Sequence, residues 1–181
     1  MMEEIYIKKI CEGNSDAFKY IIDNYKDMAF SIASSILKNQ YEAEEVVQCA
    51  FIKAYKNIKS FRNNSKFSTW FYRIVVNESF LYLKKKKKHL NITYEELDTE
   101  VLDEDQFNLI IQEEQDILIK EGLKRLNSNE SLALRLFYLD EQNIKNITEI
   151  TGWSESNVKT LLHRGRKNML SIINHLMKSK F

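Results

Sequence analysis

Apolar residues recur at every third or fourth position over most of the chain, which is the spacing of one face of an α-helix. In residues 14–38 this stripe follows Asn14, Ser15 and Asp16, which are residue types that cap helix starts. Its apolar members are Phe18, Ile21, Ile22, Tyr25, Met28, Ala29, Ile32 and Ile36. The pattern predicts an amphipathic helix that turns this stripe toward a core.

Two further helices are predicted in residues 42–90. The first has acidic residues in its opening turns, where the helix dipole favours them, and its apolar stripe is Ala43, Val46, Val47, Ala50, Phe51, Ala54 and Ile58. The second starts near Ser68 or Thr69. Its apolar positions are Phe71, Ile74, Val75 and Phe80 or Leu81, and a run of five lysines at residues 84–88 ends it.

Residues 91–116 are polar, acidic and only weakly periodic, so they predict a linker with a short helical piece around residues 107–111. Helical periodicity resumes at Ile117. A helix over about residues 130–139 should turn Leu132, Leu136 and Leu139 to one face.

The stretch ITEITGWSESNVKTLLHRGRKNML predicts two helices joined by a tight turn at Gly152. Ser154 would cap the second helix, whose inward residues are Val158, Leu161, Leu162 and Met169. This is the pattern of a helix-turn-helix. The outward polar positions are Ser156, Asn157, Lys159, Thr160, His163, Arg164 and Lys167, which could contact bases and phosphates in a major groove. The alternative is an ordinary solvated helix face.

Composition supports an all-α fold, and the length suits one ordinary domain or two small helical domains. The 181 residues include no proline and four glycines, whereas β-rich folds use both residue types in their turns. The cysteines, Cys11 and Cys49, are too far apart in sequence for a CxxC pair, and Cys49 should be a buried apolar residue. The histidines lack metal-ligand spacing and no catalytic motif is found, so we expect no metal, no cofactor and no enzyme activity.

The N-terminus does not resemble a signal peptide, and no apolar run approaches the length of a membrane span. We therefore expect a cytoplasmic protein with no membrane contact.

Charge is strongly segregated although the net charge is only +1. Residues 1–90 carry 16 basic and 10 acidic side chains, residues 91–119 carry 10 acidic and no basic ones, and residues 120–181 carry 11 basic and 6 acidic ones. Two basic segments thus flank an acidic one, which makes nucleic acid a plausible partner for both ends.

The stretch SKFSTWFYRIVVNESF concentrates aromatic residues beside Lys66 and Arg73, and it precedes the lysine run. Unpaired bases stack on exposed aromatic rings, so this combination suits single-stranded nucleic acid. The alternative is that the rings form the core. We expect most of them to be core residues, with one or two rings and Asn77 exposed.

Three stretches occur along the chain in this order: GNSDAF, EAEEVVQCAFIKAYKNIKSFRNNSKFSTWFYRIVVN and ITEITGWSESNVKTLLHRGRKNM. Together they closely resemble the extracytoplasmic-function (ECF) sigma factors of bacterial RNA polymerase, within the sigma-70 family. The resemblance implies a promoter-melting domain in residues 1–90, a linker in residues 91–116 and a DNA-binding helix-turn-helix domain in residues 117–181. It implies core RNA polymerase and promoter DNA as partners, with an anti-sigma factor as a further candidate.

The resemblance also implies three sets of site residues. Contact with the −10 element falls to Phe61, Arg62, Asn63, Asn64, Ser65, Lys66, Trp70, Tyr72, Arg73 and Asn77. Contact with the −35 element falls to Ser156, Asn157, Lys159, Thr160, His163 and Arg164. Binding of core polymerase falls to Gln48, Phe51 and Lys53, on a helix over residues 42–59.

Several positions depart from the family pattern. Gly165 stands where alanine is frequent, which costs about 1 kcal/mol of helix propensity. Asn63-Asn64 replaces Gly-Asp, while Leu81 and Leu161 replace polar residues, so the promoter sequence does not follow from the resemblance. The lysine run would end a DNA-facing module, and the acidic segment would mimic nucleic acid inside the polymerase or serve only as a solubilising linker.

Two other classes of protein remain as rivals. One is a helix-turn-helix regulator whose N-terminal domain dimerises or senses a ligand without binding polymerase, and the other is a helical interaction protein that binds no nucleic acid.

Overall fold

The computed structural model describes residues 2–61, 65–90 and 112–178, with the side chains of residues 89, 90 and 112–115 excepted. All regular elements within these ranges are helical, as predicted. The chain forms two compact units, one built mainly from residues up to Leu90 and the other mainly from the residues after it. Within the described ranges, every helix is too short or too polar to cross a lipid bilayer.

The first unit is a small helical bundle. Among the described residues, its α-helices are α1 (Met2–Cys11), α2 (Phe18–Leu37), α3 (Gln40–Asn57) and α4 (Phe67–Leu90). Single 3-10 turns, Ser15–Ala17 and Ile58–Ser60, precede α2 and follow α3. Helices α2, α3 and α4 pack against one another, and α1 packs on α2. The three predicted helices are present, whereas α1 was not predicted, because its apolar residues Ile7 and Ile10 make too short a stripe to stand out.

Asparagine side chains cap two helical segments of this unit. Asn14 Oδ1 accepts from the Ala17 backbone N–H at 3.2 Å, and Asn39 Oδ1 accepts from the Glu42 N–H at 3.2 Å. Lys38 follows the last residue of α2 and caps it with a left-handed φ of 60°, a conformation that glycine usually adopts at helix ends. A tight turn therefore joins α2 to α3.

Aromatic rings fill the centre of the bundle. Phe67 and Phe71 are fully buried, and the Phe51 ring lies 4.8 Å from that of Phe71. Two predicted core residues are instead on the surface: Ile22 is 38% exposed and Cys49 is exposed. Cys49 lies about 100° around α3 from Ala50 and about 60° from Val46, on the side that the core does not cover.

Polar contacts join α3 to α4 along their length. Lys53 Nζ lies 2.5 Å from Glu78 Oε1, and Lys86 Nζ lies 2.5 Å from Glu42 Oε1. Tyr82 donates a hydrogen bond to Glu45 at 3.4 Å. One member of the lysine run therefore binds the neighbouring helix, which charge counting along the sequence could not show.

In its described residues, the second unit contains four α-helices and one π-helical turn. They are α5 (Gln112–Arg125), α6 (Ser128–Leu134), the π-helical turn Arg135–Leu139, α7 (Ile144–Thr151) and α8 (Glu155–Lys178). Helix α5 begins five residues before the position where the apolar pattern resumes. The predicted helical piece at residues 107–111 lies outside the described residues.

The π-helical turn explains one wrong prediction. The Asp140 N–H donates to the Arg135 carbonyl at 3.0 Å, a spacing of five residues instead of four. This wider turn changes the angle between successive side chains, so Leu132 and Leu136 are buried while Leu139 is 49% exposed. Ile117 is also exposed, at 61%, and the inward face of α5 begins at Leu118.

The turn between α7 and α8 agrees with the sequence. Gly152 has a φ of 75°, and Ser154 Oγ accepts from the Asn157 N–H at 3.2 Å. Val158, Leu161 and Leu162 are buried. The helix-turn-helix prediction is therefore confirmed at the level of local geometry.

Two glycines allow close contacts with α8. A methyl group on Gly165 would lie 3.1, 3.2 and 3.4 Å from three carbons of the buried Leu134 side chain. A methyl group on Gly122 would lie 2.4 Å from the sulfur of Met169. Helices α6 and α8 thus approach closely at Gly165. This close approach accounts for a glycine at a position where alanine is frequent in the family.

Candidate nucleic-acid interface

One face of α4 presents polar and aromatic groups to solvent. Trp70 is half-buried, and Arg73 and Asn77 are exposed. Because these residues are three and four positions apart, they lie along one side of the helix. Trp70 and Asn77 also line a shallow cleft of about 280 Å³. The cleft is bordered by Ile74 and Glu78 of α4 and by Lys53, Asn57 and Ser60. The cleft offers a ring for stacking and two side-chain amides for hydrogen bonds.

The aromatic residues divide between core and surface as expected. Phe67, Phe71 and Tyr72 are buried, whereas Trp70 and Phe61 are half-buried and their ring centroids lie 5.4 Å apart. Tyr72 is only 9% exposed, because it points to the side of α4 that packs in the bundle. It is therefore poorly placed for the DNA contact that the resemblance implies.

The loop before α4 is described only at its ends. Ser65 and Lys66 are exposed and precede the helix, and Phe61 packs edge to face on Phe67 with centroids 5.5 Å apart. Arg62, Asn63 and Asn64 lie outside the described residues, so their predicted contacts with the −10 element stay predictions.

The three residues expected to bind core polymerase do not share a surface. Gln48 is exposed on the outer side of α3, and Phe51 is 8% exposed within the aromatic core. Lys53 lies about 140° around the helix from Gln48 and is paired with Glu78 at the cleft. Phe51 is a core residue here, so a polymerase surface on α3 has to be built from other side chains.

All six residues expected to contact the −35 element are exposed on α8. They are Ser156, Asn157, Lys159, Thr160, His163 and Arg164. Ser154 caps the helix, and the first two turns carry Ser156, Asn157 and Thr160 on adjacent positions. A capped helix whose N-terminal turns expose one polar face is the geometry with which a recognition helix enters a major groove.

Three of these side chains also make contacts within the protein. Lys159 Nζ lies 2.7 Å from Glu155 Oε1, and this hydrogen bond lowers the pKa of the Glu155 carboxyl. Arg164 Nε lies 3.6 Å from Glu130 Oε1 on α6. The Thr160 hydroxyl donates to the Ser156 carbonyl at 3.0 Å, which leaves its oxygen free to accept.

The lysine run shows two environments. Lys84, Lys85, Lys87 and Lys88 are exposed, and Lys86 is partly buried against Glu42. The acidic residues expected to follow the run, in residues 91–111, lie outside the described residues.

The sequence did not indicate some of the residues found at these sites. Asn57 and Ser60 border the cleft, and Glu130 is buried beside α8. The one available signal was Glu130 itself, an acidic residue within an otherwise apolar and small-residue segment, but its partners are more than thirty positions away.

Two family models match the chain. Sigma-70 region 2 matches residues 21–89, and Sigma-70, region 4 matches residues 117–169. The first match holds the cleft and the second holds the helix-turn-helix.

Curated relatives that align over most of the chain agree with these matches. The ECF RNA polymerase sigma factor SigW of Bacillus subtilis is 36% identical, and the alignment covers 92% of this chain and 94% of the relative. The chain belongs to the ECF sigma factors. The ECF RNA polymerase sigma-E factor of Escherichia coli K12 is 25% identical to this sigma factor, over 92% of each chain.

Solved structures share the fold of this sigma factor. The sigma factor RpoE of Bartonella quintana, crystallised with the anti-sigma factor NepR, gives a TM-score of 0.66 at 20% identity and covers 87% of this chain and 96% of its own. CnrH, in complex with the cytosolic domain of CnrY, gives 0.65 at 15% identity, over 97% and 99% of the two chains.

Family membership decides between the alternatives left open by the sequence. This protein is an alternative sigma factor, which directs RNA polymerase to promoters, and neither a regulator without polymerase nor an interaction protein without nucleic acid fits the full-length relatives. The sigma factor family is not in general a family of enzymes.

Proposed function

We propose that the two units divide promoter recognition between them. Residues 1–90 open the −10 element and hold core polymerase, residues 117–181 bind the −35 element, and residues 91–116 connect the two. The observation that carries the proposal is the solvent-open cleft beside α4, where Trp70 and Asn77 lie next to the exposed Arg73.

The cleft suits an unpaired nucleotide. Opening a duplex removes base stacking, so the free strand must gain contacts on protein in return. In our proposal Trp70 offers a stacking surface, Asn77 hydrogen-bonds a base edge and Arg73 binds a phosphate. Lys66 and the residues of the preceding loop, Arg62, Asn63, Asn64 and Ser65, would extend this surface.

The outer side of α3 is the proposed surface for core polymerase. Gln48 lies there with Tyr41, which is 84% exposed, and Ile52, which is 55% exposed. Large exposed apolar side chains beside polar ones are typical of protein-binding surfaces. Lys53, on the edge toward α4, would contribute through the cleft instead of this surface.

Helix α8 is the proposed −35 reader. Its exposed Asn157, Lys159 and Thr160 would meet base edges and phosphates near the helix start, with Ser156, His163 and Arg164 beside them. We further propose that the protein has no enzyme activity of its own and works in the cytoplasm, where polymerase and promoters are. An anti-sigma factor stays a candidate partner, since the Bartonella quintana protein of the same fold was crystallised with one.

The Asn77→Ala variant tests the proposed strand capture. We expect it to reduce initiation on duplex promoters by about tenfold or more, because one good polar contact to a base is worth about 1–3 kcal/mol. A template already mismatched across the −10 region should restore much of the activity, since strand opening no longer has to be driven.

Asn24→Ala is the matched control, because Asn24 is an exposed helical asparagine on α2 whose amide donates to the Tyr20 carbonyl, away from the cleft. It should leave initiation unchanged. If Asn77→Ala loses equal activity on both templates, Asn77 does not act in strand opening. If it instead lowers the melting temperature strongly, its role is structural.

A further inference from the structure

Glu130 is a buried carboxylate that faces the recognition helix. Its side chain is 1% exposed, and it lies in the first turn of α6, where Asn127 Oδ1 accepts from the Glu130 N–H at 2.9 Å. Its Oε2 accepts a hydrogen bond from Asn168 Nδ2 at 2.9 Å. Its Oε1 accepts no hydrogen bond from any described residue, and the cation beside it is Arg164, with Nε at 3.6 Å.

A buried carboxylate is costly unless a positive charge compensates it. Arg164 provides that charge while its side chain is 49% exposed, so it extends from the buried carboxylate into solvent. If Arg164 turned away from Glu130 toward DNA, the carboxylate would stay buried without its cation. The pairing therefore favours orientations in which Arg164 keeps its Nε side on Glu130.

The chemistry of guanidinium makes this orientation useful. Arginine has five N–H groups in a planar fork. When the Nε side faces Glu130, the two terminal amino groups are left for a second partner, and that pair matches a phosphate or the O6 and N7 acceptors of guanine. The hydrogen bond from Asn168 holds the carboxylate on the other side and so opposes movement of Glu130 with the arginine.

We propose that Glu130 is a positioning residue for Arg164, which fixes the guanidinium on the DNA side of α8 and thereby sets base preference where Arg164 contacts the promoter. The proposal rests on the proposed function of α8 as the −35 reader. The close approach of α6 and α8 at Gly165 and Leu134 supports it, because it holds the two helices in one register.

The test uses the full-length chain bound to bacterial core RNA polymerase and a duplex library randomised across the −35 element. Bound sequences give a base preference at each position. The variants are Glu130→Gln, Arg164→Ala and the double variant. Glutamine keeps an oxygen that can accept from Asn168 but removes the charge that faces Arg164. Glu121→Gln is the matched control, because it removes a carboxylate from surface ion pairs with Lys124 and Arg125 on α5.

We expect Arg164→Ala to flatten the preference at one or two adjacent base pairs by about tenfold. Glu130→Gln should flatten the same positions and no others, and the double variant should match Arg164→Ala alone. Glu121→Gln should retain the full preference.

Three results would overturn the proposal. In the first, Glu130→Gln binds all sequences more tightly with unchanged preference, which shows that its charge acts only by repelling phosphate. In the second, it weakens all positions together with a loss of thermal stability, which shows a structural role. In the third, Arg164→Ala leaves the base preference unchanged, which shows that Arg164 does not read the DNA.

Glu130→Asp covers the case in which the glutamine variant does not fold. It keeps the charge but shortens the side chain by one methylene, so it should flatten the same positions. Suppose that Arg164→Ala flattens the base preference but a folded Glu130→Asp or Glu130→Gln variant leaves it unchanged. Glu130 then does not position Arg164, although α8 still reads the −35 element.

Discussion

Adding one methyl group at Gly165 should destabilise the second unit, although alanine is the better helix former. The gain in helix propensity is about 1 kcal/mol. Against it, the new methyl group would lie 3.1–3.4 Å from three carbons of Leu134, which is 6% exposed. Overpacking a filled core costs about 1–3 kcal/mol. The net expectation for Gly165→Ala is a loss of about 1 kcal/mol.

Gly122→Ala is the matched control, since it is the same substitution on another helix of the same unit. Its methyl group would meet the end of the Met169 side chain, at 2.4 Å from the sulfur and 3.2 Å from the terminal carbon. Met169 is half-exposed and flexible, so it can swing aside at little cost. Gly122→Ala should therefore be neutral or stabilise by up to about 1 kcal/mol.

Scanning calorimetry of the full-length chain measures both variants, with the transition of each unit followed separately. For a unit of this size, 1 kcal/mol corresponds to a shift of about 4–8 °C. Gly165→Ala should lower the transition of the second unit, whereas Gly122→Ala should leave or raise it. Equal shifts in one direction would refute the distinction between a branched buried neighbour and a flexible exposed one.

Two further predictions concern the first unit. Burial lowers the pKa of the Lys38 amine to about 7, against about 10.4 in an unfolded chain, so the unfolded state binds more protons between these values and stability should rise with pH across that window. Lys38→Gly should abolish this rise and, by relieving the left-handed φ, stabilise the protein by about 1 kcal/mol at pH 7. Urea unfolding at pH 7 and 9 measures the free energy of unfolding of both proteins. If burial of Lys38 is unimportant, this free energy will change with pH by the same amount in both. Native Cys49 should react with a maleimide faster than Cys11, which is half-buried with its Sγ 4.0 Å from the Ile58 carbonyl. Bound core polymerase should slow labelling of Cys49, and an unchanged rate would move the polymerase surface away from this part of α3.

The sequence predicted the fold where a single helical period governs the side chains. Ser154 and Gly152 mark the start of α8 as expected, because capping and a left-handed turn depend on neighbouring residues alone. The prediction failed where geometry changes along the helix. Leu139 is exposed because a π-helical turn intervenes, and no local pattern announces that turn.

The candidate site was predictable in its exposed residues and not in its pairings. Arg73 and Asn77 are exposed as expected, since polar residues opposite an apolar stripe face solvent. Pairs such as Lys53 with Glu78 and Arg164 with Glu130 join residues 25 and 34 positions apart. Such contacts depend on how helices pack, which residue spacing alone does not determine.

The side chains that cap helical segments in the described part of the chain are all uncharged. The caps observed are Asn14, Asn39, Asn127, Asn143 and Ser154. Amides and hydroxyls do not ionise in water, so neither acid nor added electrolyte weakens them as it would weaken an aspartate cap. Phosphate contacts, in contrast, fall steeply with salt. A salt titration of promoter binding should therefore report the release of ions from DNA, with the helix starts left undisturbed.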